Sequence, residues 1–345
     1  MLIKHLQSVA AHAWHCGELD AGRRACERLL SQQLPAGMES LVRRNRTWYT
    51  HRLDELVSTR FVRLSPETRP GWSLFNPSVI SVPGGWTVNV RSSNYRIVGG
   101  RYEIPPEDGD VIRTDNLLAS LADDYRQVSC QLLVHEYPRT GFPVDGLEDV
   151  RLNVVDGSIL LSATVRNFEP LDGTCRIATS GERGVVTCLP TPPGKHEKNW
   201  MPILGRRQWL YACSNNGLVS TVREDAGDWL VETHSHAPHV ASGFRGGSQL
   251  VPMDNGRWLA VVHEVAEDDG RRIYEHRFVM FNEFAGWEVA GISMPFAFLE
   301  TRSIEFAAGL ARKGDRLVAS FGVRDAEAWL VEMTVPEVVN LLVKP

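Results

Sequence analysis

One short pattern returns five times along this chain, and it limits the fold more than any other feature. Each copy has a polar or small motif, an apolar run, a Gly turn and an alternating strand led by Trp or Leu. The copies run from Phe75-Asn76-Pro77 to Gly85-Trp86, from Gly146-Leu147-Glu148-Asp149-Val150-Arg151 to Gly157, from Lys198-Asn199-Trp200 to Gly205, from Arg245-Gly246-Gly247 to Gly256, and from Ile304-Glu305-Phe306 to Gly314. The motif-to-Gly spacing is 9 residues in four copies (76 to 85, 148 to 157, 247 to 256, 305 to 314) and shorter in the third. Repeats of about 40–60 residues with several strands each are propeller blades. Five copies predict a mainly β chain folded as a five-bladed β-propeller, whose inner strands converge on one narrow polar funnel.

Composition fits such a chain. The 345 residues leave room for one large β domain and a small appendage. A net charge of −5 gives no reason to expect nucleic acid or an anionic membrane as a partner. The six cysteines form no CxxC pair, which points to free thiols in a reducing cytoplasm rather than a disulfide framework. The N-terminus, Met1-Leu2-Ile3-Lys4-His5-Leu6-Gln7, lacks the apolar core of a signal peptide, and no apolar run is long enough to span a membrane.

The chain is expected to divide near residue 60, into a helical segment over 1–60 and a propeller over 61–345. Ala10, Ala13 and Trp14 lie at helical spacing, as do Leu19, Cys26, Leu29 and Leu30, with Gly17-Glu18-Leu19-Asp20 as a hairpin turn and Pro35 beyond the second helix. The run Gly17, Leu19, Gly22, Cys26, Leu29, Pro35 resembles half a tetratricopeptide unit. A helix pair of this kind cannot bury its own apolar face, so it packs on the propeller or against a protein partner. Arg43 to Leu56 is expected to continue the helix. Residues 92–145 are expected as a long insertion at the funnel mouth, and Val335 to Leu342 as a segment that closes or caps the ring.

The ordered set Asn76-Pro77, Arg91, Glu148-Asp149-Val150-Arg151, Lys198-Asn199, a glycine-rich segment, His263, Tyr274 and Gly322-Val323-Arg324-Asp325 resembles the mannoside phosphorylases and hydrolases of glycoside hydrolase family 130. The resemblance spans roughly residues 70–335 as spaced motifs. It implies a five-bladed propeller, an oligosaccharide or other glycoside as substrate, and inversion at the anomeric carbon. The chain departs from the family at Val150, where the family has Pro, and at Glu264, where it has Gly. By resemblance Asp149 is the proton donor. Arg91, Lys198, His263 and Tyr274 would hold inorganic phosphate as co-substrate, with Arg176 as an addition. Asn76, Glu148, Arg151, Asn199, Arg245, Glu305 and Asp325 are the expected substrate contacts. No metal or organic cofactor is expected.

The residue types suit these roles. Strand alternation would place Asp149 and Arg151 on one face and Glu148 on the other. An acid beside Arg stays ionised unless burial or a second carboxylate opposes the cation, and that balance sets a general acid near working pH. Arg forks and a Lys charge suit phosphate. Water as nucleophile would instead need a carboxylate base about 6.5–9.5 Å from the acid, for which Glu264, Glu305 and Asp325 are available. Amides and carboxylates such as Asn76, Asn199 and Asp325 read paired hydroxyls. Trp72, Trp86 and Trp200 lie near the motifs, Trp86 as blade packing and Trp200 as either packing or a sugar platform. Arg245-Gly246-Gly247-Ser248 permits close backbone approach. His234, His236 and His239 are expected in a loop with no paired acid. Two functions remain open: an inverting glycosidase or glycoside phosphorylase, and a non-catalytic carbohydrate-binding propeller tied through its helices to glycan-building machinery.

Overall fold

The protein is described by a computed structural model covering residues 2–99, 101–136, 141–168, 173–180, 184–189, 195–225 and 228–345. Among these residues five antiparallel sheets follow one another along the chain as the blades of a five-bladed propeller. Blade 1 holds Ser73–Val82, Gly85–Ser93, Ile112–Ala122 and Gln127–Leu132, and blade 2 holds Glu148–Val155, Ser158–Val165, Arg176–Ser180 and Val186–Cys188. Blade 3 holds Met201–Pro202, Gln208–Asn215, Leu218–Asp225 and Asp228–His236. Blade 4 has a first strand in two pieces, Arg245–Gly246 and Val251–Pro252, followed by Arg257–Asp268, Arg271–Asn282 and Glu288–Ile292. Blade 5 holds Glu305–Lys313, Arg316–Val323 and Glu327–Thr334.

A strand from the other end of the chain completes blade 5. Arg60–Leu64 pairs antiparallel with Glu327–Thr334, with Phe61 opposite Val331. The ring is therefore closed by residues 60–64, not by the C-terminal segment, which forms the short helix Val335–Asn340 beside it. The expected insertion over 92–145 is also corrected. Ile112–Ala122 and Gln127–Leu132 are regular blade strands, and the stretch before Ile112 carries an added hairpin, Arg96–Val98 and Arg101–Glu103, at the mouth.

The inner strands are buried on both faces, Gly85–Ser93 along its whole length and Arg316–Val323 along nearly all of it, and their apolar side chains meet between neighbouring blades. Ile80 and Leu152 join blades 1 and 2, and Ile177 and Trp209 join blades 2 and 3. Leu210 and Val279 join blades 3 and 4, Phe278 and Phe321 blades 4 and 5, and Val88 and Val318 blades 5 and 1. Val150, the departure from the expected Pro, lies in the core between blades 1 and 2. Burying a side chain of this size contributes about 1.5–3 kcal/mol, so each interface is held mainly by the hydrophobic effect. The axis itself is polar and filled. Buried Gln249 donates to the Val79 carbonyl at 2.6 Å and accepts from the Leu310 amide at 3.3 Å, joining blade 4 to blades 1 and 5.

Helices α1 (Leu2–His12), α2 (Leu19–Leu30) and α3 (Ala36–Arg46) form a small layer around Leu6, Cys26, Leu29, Val42 and Tyr49. The turn between α1 and α2 ends on Gly17 in the left-handed region at φ 74°, and Pro35 precedes α3 as its cap. The likeness to a tetratricopeptide unit remains one of sequence. No helix among the described residues is long and apolar enough to cross a membrane.

A buried ionic cluster fastens this layer to blade 4. Arg46 pairs with Glu264 at 3.0 Å and with Glu275 at 2.6 Å, Arg277 pairs with Glu264 at 2.7 Å and Glu27 at 2.9 Å, and Arg43 also pairs with Glu264. Glu264 is thus surrounded by three guanidinium groups. Burial alone would raise its pKa, but Arg46, Arg277 and Arg43 hold it well below its ordinary 4.5. It is not an available catalytic base, contrary to the sequence expectation.

Removing one member of a buried pair strands the other charge and costs about 3–5 kcal/mol. Arg46→Ala is expected to lose stability of that order, read as a lower urea midpoint. Because the folded-state pKa of Glu264 is depressed, its contribution is present above pH 4.5 and fades as pH falls below that value. The gap between wild type and variant should therefore narrow in acid; a gap that stays constant through that range would contradict the assignment.

Candidate functional site

The polar residues of the funnel reach it through local breaks in strand pairing. Asn76, Asp149 and Asn199 all have positive φ, at 44°, 50° and 62°. Asn and Asp tolerate this region better than other non-glycine residues. The ladder slips between Phe75 and Ser78 in blade 1 and between Glu148 and Arg151 in blade 2. Such bulges re-aim side chains. They also overturn the alternation expected at Glu148 and Asp149. Both carboxylates approach Arg91, with Asp149 at 2.8 Å and Glu148 at 3.8 Å.

Asp149 is the centre of the contacts. Its Oδ1 accepts from Asn76 Nδ2 at 2.9 Å and from an Arg91 terminal nitrogen at 2.8 Å. Burial pushes its pKa up, but Arg91, the Asn76 hydrogen bond and Arg151 together hold it below 3.8. Asp149 is therefore ionised at neutral pH. Arg91 itself is buried against the Phe75 ring at 4.8 Å. Its terminal nitrogens face these two carboxylates, so it orients Asp149 rather than standing free for phosphate.

Arg151 crosses the axis. Its Nε donates to the Gly247 carbonyl at 2.5 Å, one terminal nitrogen to the Asp149 carbonyl at 3.1 Å and the other to Asn199 Oδ1 at 3.2 Å. Its guanidinium carbon lies 5.6 Å from the Phe306 ring centroid. Blades 2, 3, 4 and 5 meet on this one side chain. Burial lowers its pKa to about 10 against the pull of Asp149, so it stays charged at neutral pH. Gly246 and Gly247 are required here, because a side chain at either would collide with the Asn199 or Val261 carbonyl.

His263 stacks on Tyr274 with ring centroids 5.1 Å apart and an interplanar angle of 13°. Burial, then the nearby His276, Arg245 and Arg151, push His263 far below 6.5, while Asp149 pulls the other way. The ring is neutral at neutral pH, and its Nδ1 has no hydrogen-bond partner among the described residues. Burial raises the Tyr274 pKa, with nearby Arg272 and Arg245 opposing. Asp325 accepts from the Tyr95 hydroxyl at 2.8 Å. Burial raises its pKa above 3.8, with Asp149 and Glu148 adding to the rise and Arg91 and Tyr95 opposing.

Lys198, Asn199, Arg245 and Gly246 line a cavity of about 570 Å³ between blades 3 and 4. Lys198 and Arg245 are exposed and form no ion pair among the described residues. Asn76, Arg91, Glu148, Asp149, Arg151, Asn199, Arg245, His263, Tyr274 and Asp325 are thereby linked by hydrogen bonds, stacking or mutual electrostatics, and Lys198 joins them along the cavity wall.

Glu305 does not share this role. Its carboxylate is fully buried and accepts three backbone amides, from Phe298 at 2.6 Å and from Leu299 and Glu300 at 2.8 Å each. It ties down the loop entering blade 5, and burial raises its pKa to about 7 despite those bonds. Arg176 is on the third strand of blade 2, where it donates to the Lys195 carbonyl at 3.2 Å. Trp86 is buried and stacked on Tyr125, and Trp200 is buried and donates to Glu197, so both are core. His234 and His236 belong to the last strand of blade 3 rather than a loop, and His234 meets the Thr221 hydroxyl at 2.8 Å. Tyr95 was missed from the sequence. Its place in the run before the mouth hairpin carries no motif, and only the Asp325 contact reveals it.

By sequence, no protein-family model and no curated protein matches the chain. Solved structures do match. A β-1,2-mannobiose phosphorylase from Listeria innocua, solved with β-1,2-mannobiose, aligns with TM-score 0.51 and 12% identity over 82% of this chain and 99% of its own. A member of family 130 described as a hydrolase of β-1,2-mannosidic linkages aligns with TM-score 0.54 and 12% identity over 83% of this chain and 97% of its own. A mannose phosphorylase from Leishmania mexicana, solved with phosphate, aligns with TM-score 0.50 and 13% identity over 81% of this chain and 89% of its own. The likeness is one of fold. At these identities it leaves the chemistry to be argued from this chain's own residues.

An opposite charge at this range lowers a carboxyl by about 1–3 pH units. Arg91→Gln is therefore expected to raise the Asp149 pKa by about that amount, read from carboxyl carbon shifts in an NMR titration. An unmoved pKa would mean that Arg91 does not govern this group.

Proposed function

We propose that the protein is an inverting glycoside phosphorylase acting on a mannoside or a related oligosaccharide, with Asp149 as proton donor. The observation that carries this reading is the division of charge within the funnel. Glu148, Asp149 and Asp325 gather around Arg91 on one side. Lys198 and Arg245 line the cavity on the other, beside neutral His263. Of the three carboxylates considered as a base for water, Glu264 is enclosed by arginines, Glu305 is bound to backbone amides, and Asp325 is held by Tyr95 on the same side as Asp149 and Glu148, away from the cationic wall. The carboxylate of that cavity, Glu197, is already held by Lys195, Tyr211 and Trp200, and a wall of this kind suits an oxyanion nucleophile better than a base-activated water. The fold shared with enzymes whose names record mannobiose or phosphate supports the same class.

In this mechanism phosphate sits against Lys198 and Arg245, with His263 and Tyr274 as hydrogen-bonding groups. Asn76, Asn199 and Asp325 contact sugar hydroxyls. One phosphate oxygen attacks the anomeric carbon as the bond to the leaving oxygen breaks, and Asp149 gives its proton to that oxygen. The products are a sugar 1-phosphate of inverted configuration and the shortened acceptor. Asp149 is ionised at neutral pH, so its proton must be acquired when substrates bind. An anion at the cationic wall cancels part of the field of Arg151, and a sugar excludes water; both changes raise its pKa. Arg91 and Arg151 hold the acid in place.

Asp149→Asn is expected to lower turnover of an unactivated glycoside by about 10²–10⁴-fold while glycan binding persists, and to matter much less when the leaving group needs no proton. Turnover should require inorganic phosphate, and Lys198→Ala or Arg245→Ala should raise the phosphate concentration needed. Phosphate-independent release of free sugar would favour hydrolysis. Binding without any product, in wild type and Asp149→Asn alike, would establish the carbohydrate-binding alternative.

A further inference from the structure

The helical layer carries a second feature that neither the core nor the ionic cluster accounts for. Trp14, in the turn after α1, and Trp48, just beyond α3, are 43% and 42% exposed. Their ring centroids lie 5.1 Å apart at an interplanar angle of 44°. They border a cavity of about 350 Å³ that is also lined by Arg44, Asn45 and Asp268. The aromatic pair is held in place. The Tyr49 hydroxyl accepts from the Trp14 amide at 3.2 Å and donates to the Ala10 carbonyl at 3.0 Å. The Arg302 guanidinium covers the Trp48 ring at 3.5 Å and also pairs with Asp268 and Thr47. Gly22 is required beneath Tyr49, since any side chain there would enter its ring.

One wall of this cavity, Asp268, belongs to the end of blade 4 that faces the funnel. In blade 4, Arg245 at the start of the first strand is level with His263, and the second strand continues beyond it to Asp268 before turning back at Arg271. That hairpin therefore rises above the funnel by five residues, from 263 to 268, or roughly 17 Å. Asp268 at its tip is the wall that the Trp14 cavity shares. Contact is continuous in the other direction too. Ser303, next to Arg302, accepts the backbone amide of Tyr274, whose ring stacks on His263.

We propose that the Trp14–Trp48 cavity is a distal glycan subsite, through which the helical layer receives the far end of a neutral oligosaccharide whose near end occupies the funnel. The chemistry fits sugar: Trp14 offers an exposed indole to ring C–H groups, backed by Trp48 under its Arg302 cover, and Asn45 and Arg44 are planar polar groups that pair with vicinal hydroxyls. The distance from funnel to cavity demands a chain of several units, so the subsite discriminates by length. This inference rests on the carbohydrate reading of the funnel.

The test uses β-1,2-linked manno-oligosaccharides from the disaccharide upward, titrated calorimetrically into full-length Asp149→Asn protein. Affinity should rise with chain length. Adding Trp14→Ala, or independently Asn45→Ala, should remove roughly tenfold of the gain for the longest chain and leave the disaccharide unchanged. Unchanged thermal melting would show that both variants are folded. Affinity that ignores length, or a length gain that survives both substitutions, would overturn the subsite and leave the funnel reading intact. No binding of any oligomer would overturn both.

Discussion

The rest of the structure depends on one buried guanidinium. Arg151 is almost without solvent contact, yet it reaches a carbonyl of blade 4, an amide of blade 3 and the backbone of its own blade 2, over an aromatic ring of blade 5. A charge so placed is costly unless every donor finds an acceptor. The acceptors come from separate blades, so the charge is satisfied only when the blades stand in their proper order around the axis. The hydrophobic interfaces between blades supply most of the binding energy, but they are similar in kind and do not by themselves specify which residues meet at the centre. The polar axis, with Arg151 above and Gln249 below, supplies that specification.

The same arrangement sets the electrostatics of the site. Arg91 and Arg151 approach Asp149 from two blades and outweigh its burial, whereas at Asp325 burial and two neighbouring carboxylates outweigh Arg91 and push it the opposite way. Groups of one chemical type are thereby separated in proton affinity by their surroundings. His263 is held neutral by burial and by the nearby positive charges, so it can serve as a hydrogen-bonding group but not as a permanent cation. The charge available to an incoming anion rests on Lys198 and Arg245, and both lie at the accessible edge of the cavity rather than in its floor.

The blade rhythm was legible because each blade repeats a motif, an apolar run and a Gly turn, and that periodicity is written in residue types. Asn76, Asp149 and Asn199 were legible as motif residues, but their geometry was not. Alternation assumes an unbroken ladder, and the bulge at Glu148–Arg151 turns both carboxylates toward Arg91. Glu264 and Glu305 looked like free acids in sequence because their partners are remote or belong to the backbone. Glu264 meets Arg46, which lies 218 positions earlier, and Glu305 meets three amides of its own entry loop. No local pattern announces such contacts. Residues 60–64 likewise carried no sign that their hydrogen bonds would be made to the final blade.

That last pairing governs how the molecule can assemble. The strand Arg60–Leu64 is synthesised before any blade, yet its partner Glu327–Thr334 is among the last segments made. Until then blade 5 is incomplete and one strand edge waits unpaired, which is a template for wrong association. Contacts of such long sequence separation also slow folding, because loop entropy is lost before the contact rewards it. The ring therefore cannot be closed during synthesis of its first four blades. Its final step is a single zippering of the two ends of the domain, and that seam is where opening under force or at high temperature should begin.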